Sequence, residues 1–94
     1  MFMAAGKVYQ VYVLQNSDGR FYIGLSESVQ VRLQQHNQGI SRWTRKFRLW
    51  FLVWTSEGLS LSNARRLENR LKHQKGGAGF KLLTGLTGLA KSGS

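Results

Sequence analysis

Two of the chain's three tyrosines, Tyr12 and Tyr22, lie in short apolar runs that flank a turn sequence at residues 16–19. An alternating apolar run, a turn with Asn and Gly, and a second apolar run predict a β-hairpin. Neighbouring hairpin strands would hold both phenol groups rigidly at one place. A phenol hydroxyl can aim an anionic group or exchange a proton with water, so the pair is a candidate for catalysis.

Arg32 and His36 add a second pair of reactive groups just beyond the hairpin. Their spacing of four residues places both on one face of a predicted helix. A guanidinium can clamp a phosphate through two parallel hydrogen bonds, and an imidazole can accept or relay a proton near neutral pH. A solvated helix face would explain either residue alone. Together with the two phenols, they form a more specific set.

Glu68 is the carboxylate with no local structural role. The other acidic residues belong to a turn, a helix start and a loop: Asp18, Glu27 and Glu57. Glu68 lies in the middle of a basic helix, where an ion pair with Lys72 would contribute roughly 0.3–0.5 kcal/mol. Alternatively, Glu68 could hold a hard divalent metal ion whose coordination is completed by water and a substrate phosphate. The spacing leaves both interpretations open.

The charge balance indicates a polyanionic partner. The 94 residues include 14 Lys and Arg against 4 Asp and Glu, a formal net charge of +10. Such an imbalance costs stability unless a counter-charged partner binds, so nucleic acid is the expected partner. The absence of cysteine excludes disulfides, thiolate metal sites and cysteine nucleophiles. With no signal peptide or membrane span in the pattern, we expect a soluble cytoplasmic protein that binds no membrane.

The segment at residues 41–48 is expected to contact the nucleic-acid backbone, because basic and aromatic side chains are interleaved there. The predicted nucleic-acid-binding residues are Arg42, Trp43, Arg45, Lys46 and Arg48, with Arg65 and Lys72 on a later helix. Trp43 could stack on a base or pack in the core. Since the chain has no zinc-finger or helix-turn-helix pattern, we expect weak base readout.

The elements that must position these groups follow from the apolar pattern. We predict strands at 7–14, 20–24 and 49–54, a helix from Ser26 or Ser28 to Gly39, and a helix from Ser60 or Ser62 to Gly76. The third strand, being short, apolar and aromatic, is expected to be central. This order predicts an α+β fold, with a small, three-stranded, largely antiparallel sheet flanked by helices.

A chain of this length is expected to form a single domain, 1–94, with its core at residues 7–75. The glycines of the tail at 76–94 disfavour a helix there. We expect instead a partly packed segment around Phe80 and the pair at 82–83.

Two triplets, QVY at 10–12 and YIG at 22–24, resemble the paired signature of the GIY-YIG nuclease superfamily. The segment VRLQQHNQG is similar to the family's helix with an Arg and then His-Asn before Gly. The segment NARRLENRLK resembles its later helix with Ala, Glu and Lys at four-residue steps, here Ala64, Glu68 and Lys72. The resemblance covers residues 7–75. The first triplet departs from Gly-Ile-Tyr but keeps the tyrosine.

The resemblance implies a small single-domain nuclease, similar to an excinuclease subunit, with a role in DNA repair. It implies metal-dependent hydrolysis of phosphodiester bonds in DNA, with branched, damaged or single-stranded DNA as candidate substrates. The metal, Mg²⁺ or Mn²⁺, would be held by Glu68. The alternative is a catalytically silent nucleic-acid-binding domain that uses the same basic face. Such a domain would have no need of Glu68, which repels phosphate unless a metal intervenes.

The catalytic residues implied by the resemblance are Tyr12, Tyr22, Arg32, His36 and Glu68. Arg32 would stabilise the extra negative charge of five-coordinate phosphorus. Tyr12 is the candidate general base, with its phenolate form favoured by Arg32 and His36. Tyr22 would position the water or the phosphate. His36 could instead be the base, with Tyr12 as a relay.

Overall fold

The predicted α+β class is confirmed by a computed structural model, which describes residues 6–40, 44, 46–47, 49–74 and 77–85. Three strands and three helices follow one another along the described chain. They are β1 (Gln10–Asn16), β2 (Phe21–Ser26), α1 (Val29–Gln38), β3 (Trp50–Thr55), α2 (Leu61–His73) and α3 (Ala78–Thr84).

The strands form one antiparallel sheet in the order β2-β1-β3. The first strand is therefore central, and the prediction that the run at 49–54 is the central strand is wrong. Four consecutive residues of β1, 11–14, are buried, whereas β3 exposes 58% of Phe51. An apolar, aromatic run fits an edge strand as well as a central one, because neighbours in the sheet decide which residues are covered.

The hairpin turn forms where the sequence predicts it. Asn16 Oδ1 accepts hydrogen bonds from the backbone N–H groups of Asp18 at 3.1 Å and Arg20 at 2.9 Å. Gly19 adopts a φ of 84°, which a residue without a Cβ tolerates best. The turn fixes the strand register, in which Tyr12 lies opposite Gly24.

Alternate strand residues face opposite sides of the sheet, and each side has its own apolar cluster. The helix-pair face packs against α2 and α3. Its buried residues are Val11, Val13, Phe21, Ile23, Ala64, Leu71 and Phe80. The tyrosine face packs against α1, and the buried residues of its cluster are Tyr12, Leu14, Val29 and Trp50.

The helix ends select between the predicted caps. Ser28, not Ser26, is the N-cap of α1, and Gly39 ends that helix in the left-handed region with φ 88°. Ser60, not Ser62, is the N-cap of α2, because its hydroxyl accepts the backbone N–H of Asn63 at 3.2 Å. The Ser28 side chain makes no such bond, and α2 ends at His73, before the predicted Gly76.

The glycine-rich tail contains a helix that the sequence does not predict. Phe80 of α3 is fully buried, and its ring lies 4.9 Å from the ring of Phe21. Burial of that aromatic ring against the sheet stabilises the helix and offsets the low helix propensity of its glycine. The expected packing around Phe80 is confirmed, whereas Leu82 is 86% exposed. None of the helices in the described residues has the length and apolar character that would span a bilayer.

Candidate active site

The two tyrosines share the tyrosine face but do not lie opposite each other. Tyr12 is paired with Gly24, and Tyr22 is paired with Leu14, so the phenols are diagonal neighbours with ring centroids 6.3 Å apart. Tyr12 is 1% exposed. A Cβ at position 24 would come within 2.6 Å of the Tyr12 hydroxyl. Glycine at that position therefore gives the phenol its room.

Helix α1 brings His36 onto the tyrosines. His36 is fully buried, and its Nε2 lies 3.0 Å from the Tyr12 hydroxyl. The Tyr22 ring contacts the imidazole edge-on, with centroids 4.6 Å apart. Arg32, one turn earlier, approaches the Tyr12 oxygen with its positive charge and also donates to Gln35. The structure thus brings together both tyrosines, the arginine and the histidine.

The pKa of Tyr12 moves opposite to the prediction. Burial raises the pKa of Tyr12 from 10.0 to about 12, and the neighbouring Tyr22 adds to this rise. The hydrogen-bonding and charge effects of Arg32 lower the pKa but do not outweigh burial, and the charge of Glu68 raises it further. In the free protein Tyr12 is a protonated phenol at neutral pH, so the predicted phenolate is wrong for this state.

His36 also has a shifted pKa. Burial, and then the charge of Arg32, lower the pKa of His36 from 6.5 to about 4. His36 is therefore neutral at neutral pH and is not a cation that stabilises a phenolate. A neutral imidazole beside a protonated phenol can accept the phenol proton, so the pair is arranged as a relay.

Glu68 lies on α2 and is 7% exposed. Its Oε2 lies 3.1 Å from Lys72 Nζ, and its Oε1 lies 3.5 Å from an Arg65 guanidinium nitrogen. The ion pair with Lys72 that the spacing allows is therefore present. Although α2 packs on the other face of the sheet, the Glu68 carboxylate is close enough for its charge to affect the Tyr12 phenol.

The same carboxylate is the candidate metal ligand. Within the described part of the chain, no three His, Asp or Glu residues form a group that could hold a metal ion. Mg²⁺ commonly binds proteins through one or two carboxylates and completes its coordination with water and substrate phosphate. Glu68 fits that mode of binding. Arg65 and Lys72 could release its oxygens readily, because their side chains are 59% and 52% exposed.

The predicted nucleic-acid-binding residues are only partly described. Arg65 and Lys72 lie beside Glu68, and Lys46 is exposed in the loop before β3. Four others lie outside the described residues: Arg42, Trp43, Arg45 and Arg48. A further cation, Arg20 of the hairpin, stacks 4.2 Å above the Phe47 ring.

Sequence reasoning missed three residues that surround His36. Thr44 is fully buried, and its hydroxyl lies 2.8 Å from His36 Nδ1. The Thr44 carbonyl accepts the Trp50 indole N–H at 2.9 Å. Asn37 bonds the Trp50 backbone twice, donating to its carbonyl at 2.9 Å and accepting its N–H at 2.7 Å. The His-Asn pair is visible in the sequence, but a side-chain contact across eight residues such as that of Thr44 leaves no spacing signal.

Comparison with known proteins shows the family to which the chain is similar. Residues 8–81 match the family described as the GIY-YIG catalytic domain. A UPF0213 protein of Nitratidesulfovibrio vulgaris is 34% identical over 71 residues, which are 74% of this chain and 64% of that protein. A UPF0213 protein of Halobacterium salinarum is 38% identical over 66 residues, which are 69% of this chain and 86% of that protein.

The chain thus spans less than two thirds of the length of the first of these relatives. No solved structure matches it. The family match covers the three strands, α1 and α2, and reaches into the start of α3, and it confirms the resemblance seen in the paired triplets. The chain belongs to the GIY-YIG catalytic domain family, a nuclease family.

Proposed function

We propose that this protein is a divalent-metal-dependent endonuclease that hydrolyses phosphodiester bonds in DNA with low base specificity. The observation that carries the proposal is the buried hydrogen bond of 3.0 Å between the Tyr12 hydroxyl and His36 Nε2. A solvated helix face would leave His36 in water, whereas here it is fully buried against two phenols. Burial of an imidazole costs stability, so this placement supports a chemical role.

The attacking water would lose its proton through a relay. The Tyr12 oxygen accepts the proton from water while its own proton passes to His36 Nε2, and the water oxygen bonds to phosphorus. The phosphorus–oxygen bond to the leaving group breaks, and the leaving oxygen takes a proton from solvent. Because the pKa of Tyr12 is about 12, a concerted transfer that avoids a free phenolate is favoured over a preformed phenolate base. His36 is then the acceptor, and the negative charge of a bound phosphate would raise its pKa from the value of about 4 in the free protein.

Arg32 and Tyr22 would position the phosphate. The Arg32 guanidinium already lies near the Tyr12 oxygen, so it can bind a non-bridging phosphate oxygen next to the attacking water. Its charge would stabilise the five-coordinate transition state. Tyr22 packs against His36 and presents its ring on the same face, where its hydroxyl would aim the water or the phosphate.

Glu68 would hold the metal, Mg²⁺ or Mn²⁺, which would neutralise developing charge on the leaving oxygen. Arg65 and Lys72 now contact the two carboxylate oxygens. Incoming DNA phosphates offer both cations new partners, so DNA binding would expose the carboxylate. Together with Lys46 and the basic residues of 41–48, these cations would bind the DNA backbone without reading bases.

The proposal is tested by incubating the protein with duplex, single-stranded, branched and damaged DNA, with and without Mg²⁺ or Mn²⁺, and sizing the products. We expect cleavage that needs the metal and is lost in Tyr12→Phe. Tyr9→Phe is the matched control, since Tyr9 packs with the helix-pair face. Salt-dependent binding with no cleavage of any DNA would instead support the catalytically silent domain.

A further inference from the structure

We infer that Thr44 is a positioning residue that fixes the tautomer of His36, so that the Nε2 lone pair faces the Tyr12 hydroxyl. This inference deepens the proposed function and rests on it for its catalytic consequence. It concerns a residue eight positions beyond the histidine that is not among the catalytic residues implied by the family resemblance.

The hydrogen-bond network carries the assignment. His36 Nε2 lies 3.0 Å from the Tyr12 hydroxyl, and Nδ1 lies 2.8 Å from the Thr44 hydroxyl. A neutral imidazole has one N–H and one lone pair, so its two nitrogens must play opposite roles. If the phenol donates to Nε2, then Nδ1 carries the hydrogen and donates to Thr44 Oγ1.

The other tautomer fits less well. Nε2–H would donate to the phenol oxygen, which Arg32 already approaches with donor groups. The two lone pairs of that oxygen could accept both donors, but the phenol proton of the buried Tyr12 would then point away from the imidazole and need another acceptor. In that state His36 could not accept a proton from Tyr12, because its lone pair would face Thr44.

Thr44 is itself held in place. Tyr12, His36 and Thr44 are each at most 1% exposed, so bulk water does not compete for the hydrogen bonds between them. The carbonyl of Thr44 is bonded to the Trp50 indole, and the backbone of Trp50 is bonded twice to Asn37 of α1. Helix α1 therefore carries His36 and also holds Trp50 of β3, the residue that is bonded to Thr44. An orienting partner of this kind selects the tautomer and ring orientation of an active-site histidine.

The test has a spectroscopic readout and a kinetic one. Long-range proton–nitrogen NMR correlation identifies the protonated ring nitrogen, and the chain has only 2 histidines to assign. We expect the Nδ1–H tautomer for His36 in the wild type and in Thr44→Ser, which keeps the hydroxyl. Thr44→Val has nearly the same shape without the hydroxyl, and we expect it to lose that tautomer.

In single-turnover cleavage, Thr44→Val should lose on the order of ten- to hundredfold in rate with DNA affinity unchanged, and Thr44→Ser should restore most of it. Nε2–H in the wild type, or an unchanged tautomer and rate in Thr44→Val, would overturn the inference. If Thr44→Val does not fold, the wild-type spectrum still decides the tautomer. If the expected tautomers are seen but the wild type cleaves no DNA, the tautomer assignment stands and the proposed function fails.

Discussion

The two faces of the sheet are built from alternating residues of the same strands, yet they bury different chemistry. The helix-pair face covers side chains such as Val11, Val13 and Phe80, which are apolar and fully buried. The tyrosine face buries the polar groups of His36 and Thr44 to the same extent. A buried polar group costs stability unless its hydrogen bonds are made, whereas a buried apolar group contributes stability directly.

The difference shows how a small domain separates stability from chemistry. In the described residues, every buried side-chain nitrogen and oxygen has a hydrogen-bond partner. On the tyrosine face these partners form one chain from Tyr12 through His36 to Thr44. Changes on the helix-pair face should therefore alter stability, and changes on the tyrosine face should alter catalysis.

Replacing Glu68 should have the largest effect, because this residue of α2 acts on the tyrosine face across that division. Glu68→Gln removes the carboxylate that we propose as the metal ligand, so cleavage in Mg²⁺ should fall to background. DNA affinity, measured by titration, should stay equal or increase because one negative charge is lost. Glu57→Gln changes an exposed carboxylate and is the matched control. A native cleavage rate in Glu68→Gln would show that the metal assignment is wrong.

Phe80→Ala should disrupt the helix-pair face alone. Removing a fully buried ring that packs on Phe21 should lower the free energy of unfolding by about 3–5 kcal/mol, as measured in urea. Leu82→Ala, at an 86% exposed position of the same helix, should change it little. The milder Phe80→Leu allows cleavage to be measured per folded molecule, which should be unchanged. A changed rate in that variant would mean that the two faces are coupled.

Tyr12→Phe, on the tyrosine face, should leave stability unchanged and reduce the cleavage rate. It keeps the ring and removes the hydroxyl, so the fold should persist while single-turnover cleavage falls roughly a hundredfold or more. Tyr22→Phe should lose less if its hydroxyl only positions, and Tyr9→Phe should lose nothing.

The pH profile of cleavage sharpens the same experiment. Because the pKa of Tyr12 is raised to about 12, the relay gives no increase in rate from phenol ionisation near neutral pH. A rate that climbs through a tyrosine pKa well below its ordinary value, and stops climbing in Tyr12→Phe, would instead identify a phenolate base.

The smallest predicted effect is an acid-induced loss of stability that arises from His36. Its pKa is about 4 in the folded protein against 6.5 ordinarily, so the unfolded chain takes up a proton first as pH falls. The free energy of unfolding should fall between these two values, by on the order of 2 kcal/mol. Unfolding of His36→Gln should lack this contribution, whereas His73→Gln, at an exposed position, should keep it. Equal pH dependence in all three proteins would contradict the buried, neutral imidazole.

The sequence alone determined the features that depend on local spacing. The turn at residues 16–19, the end of α1 at Gly39 and the ion pair of Glu68 with Lys72 each involve groups within a few residues of one another. Period-two alternation placed both tyrosines on strands, and the paired triplets indicated the family. Local chemistry is sufficient here because caps, turns and helical pairs are decided by neighbours in the chain.

Only the tertiary structure decided which groups are buried. Burial in turn determines the protonation states of Tyr12 and His36. Propensity argued against the helix α3, but the contact of Phe80 with Phe21 stabilises it. The cations beside Tyr12 predicted a lower pKa, yet desolvation, which depends on everything packed around the phenol, raised it. Thr44 bonds His36 across eight residues, its carbonyl accepts the Trp50 indole, and Asn37 bonds the Trp50 backbone. Burial and long-range hydrogen bonds are properties of the packed chain, and no local pattern of residue types encodes them.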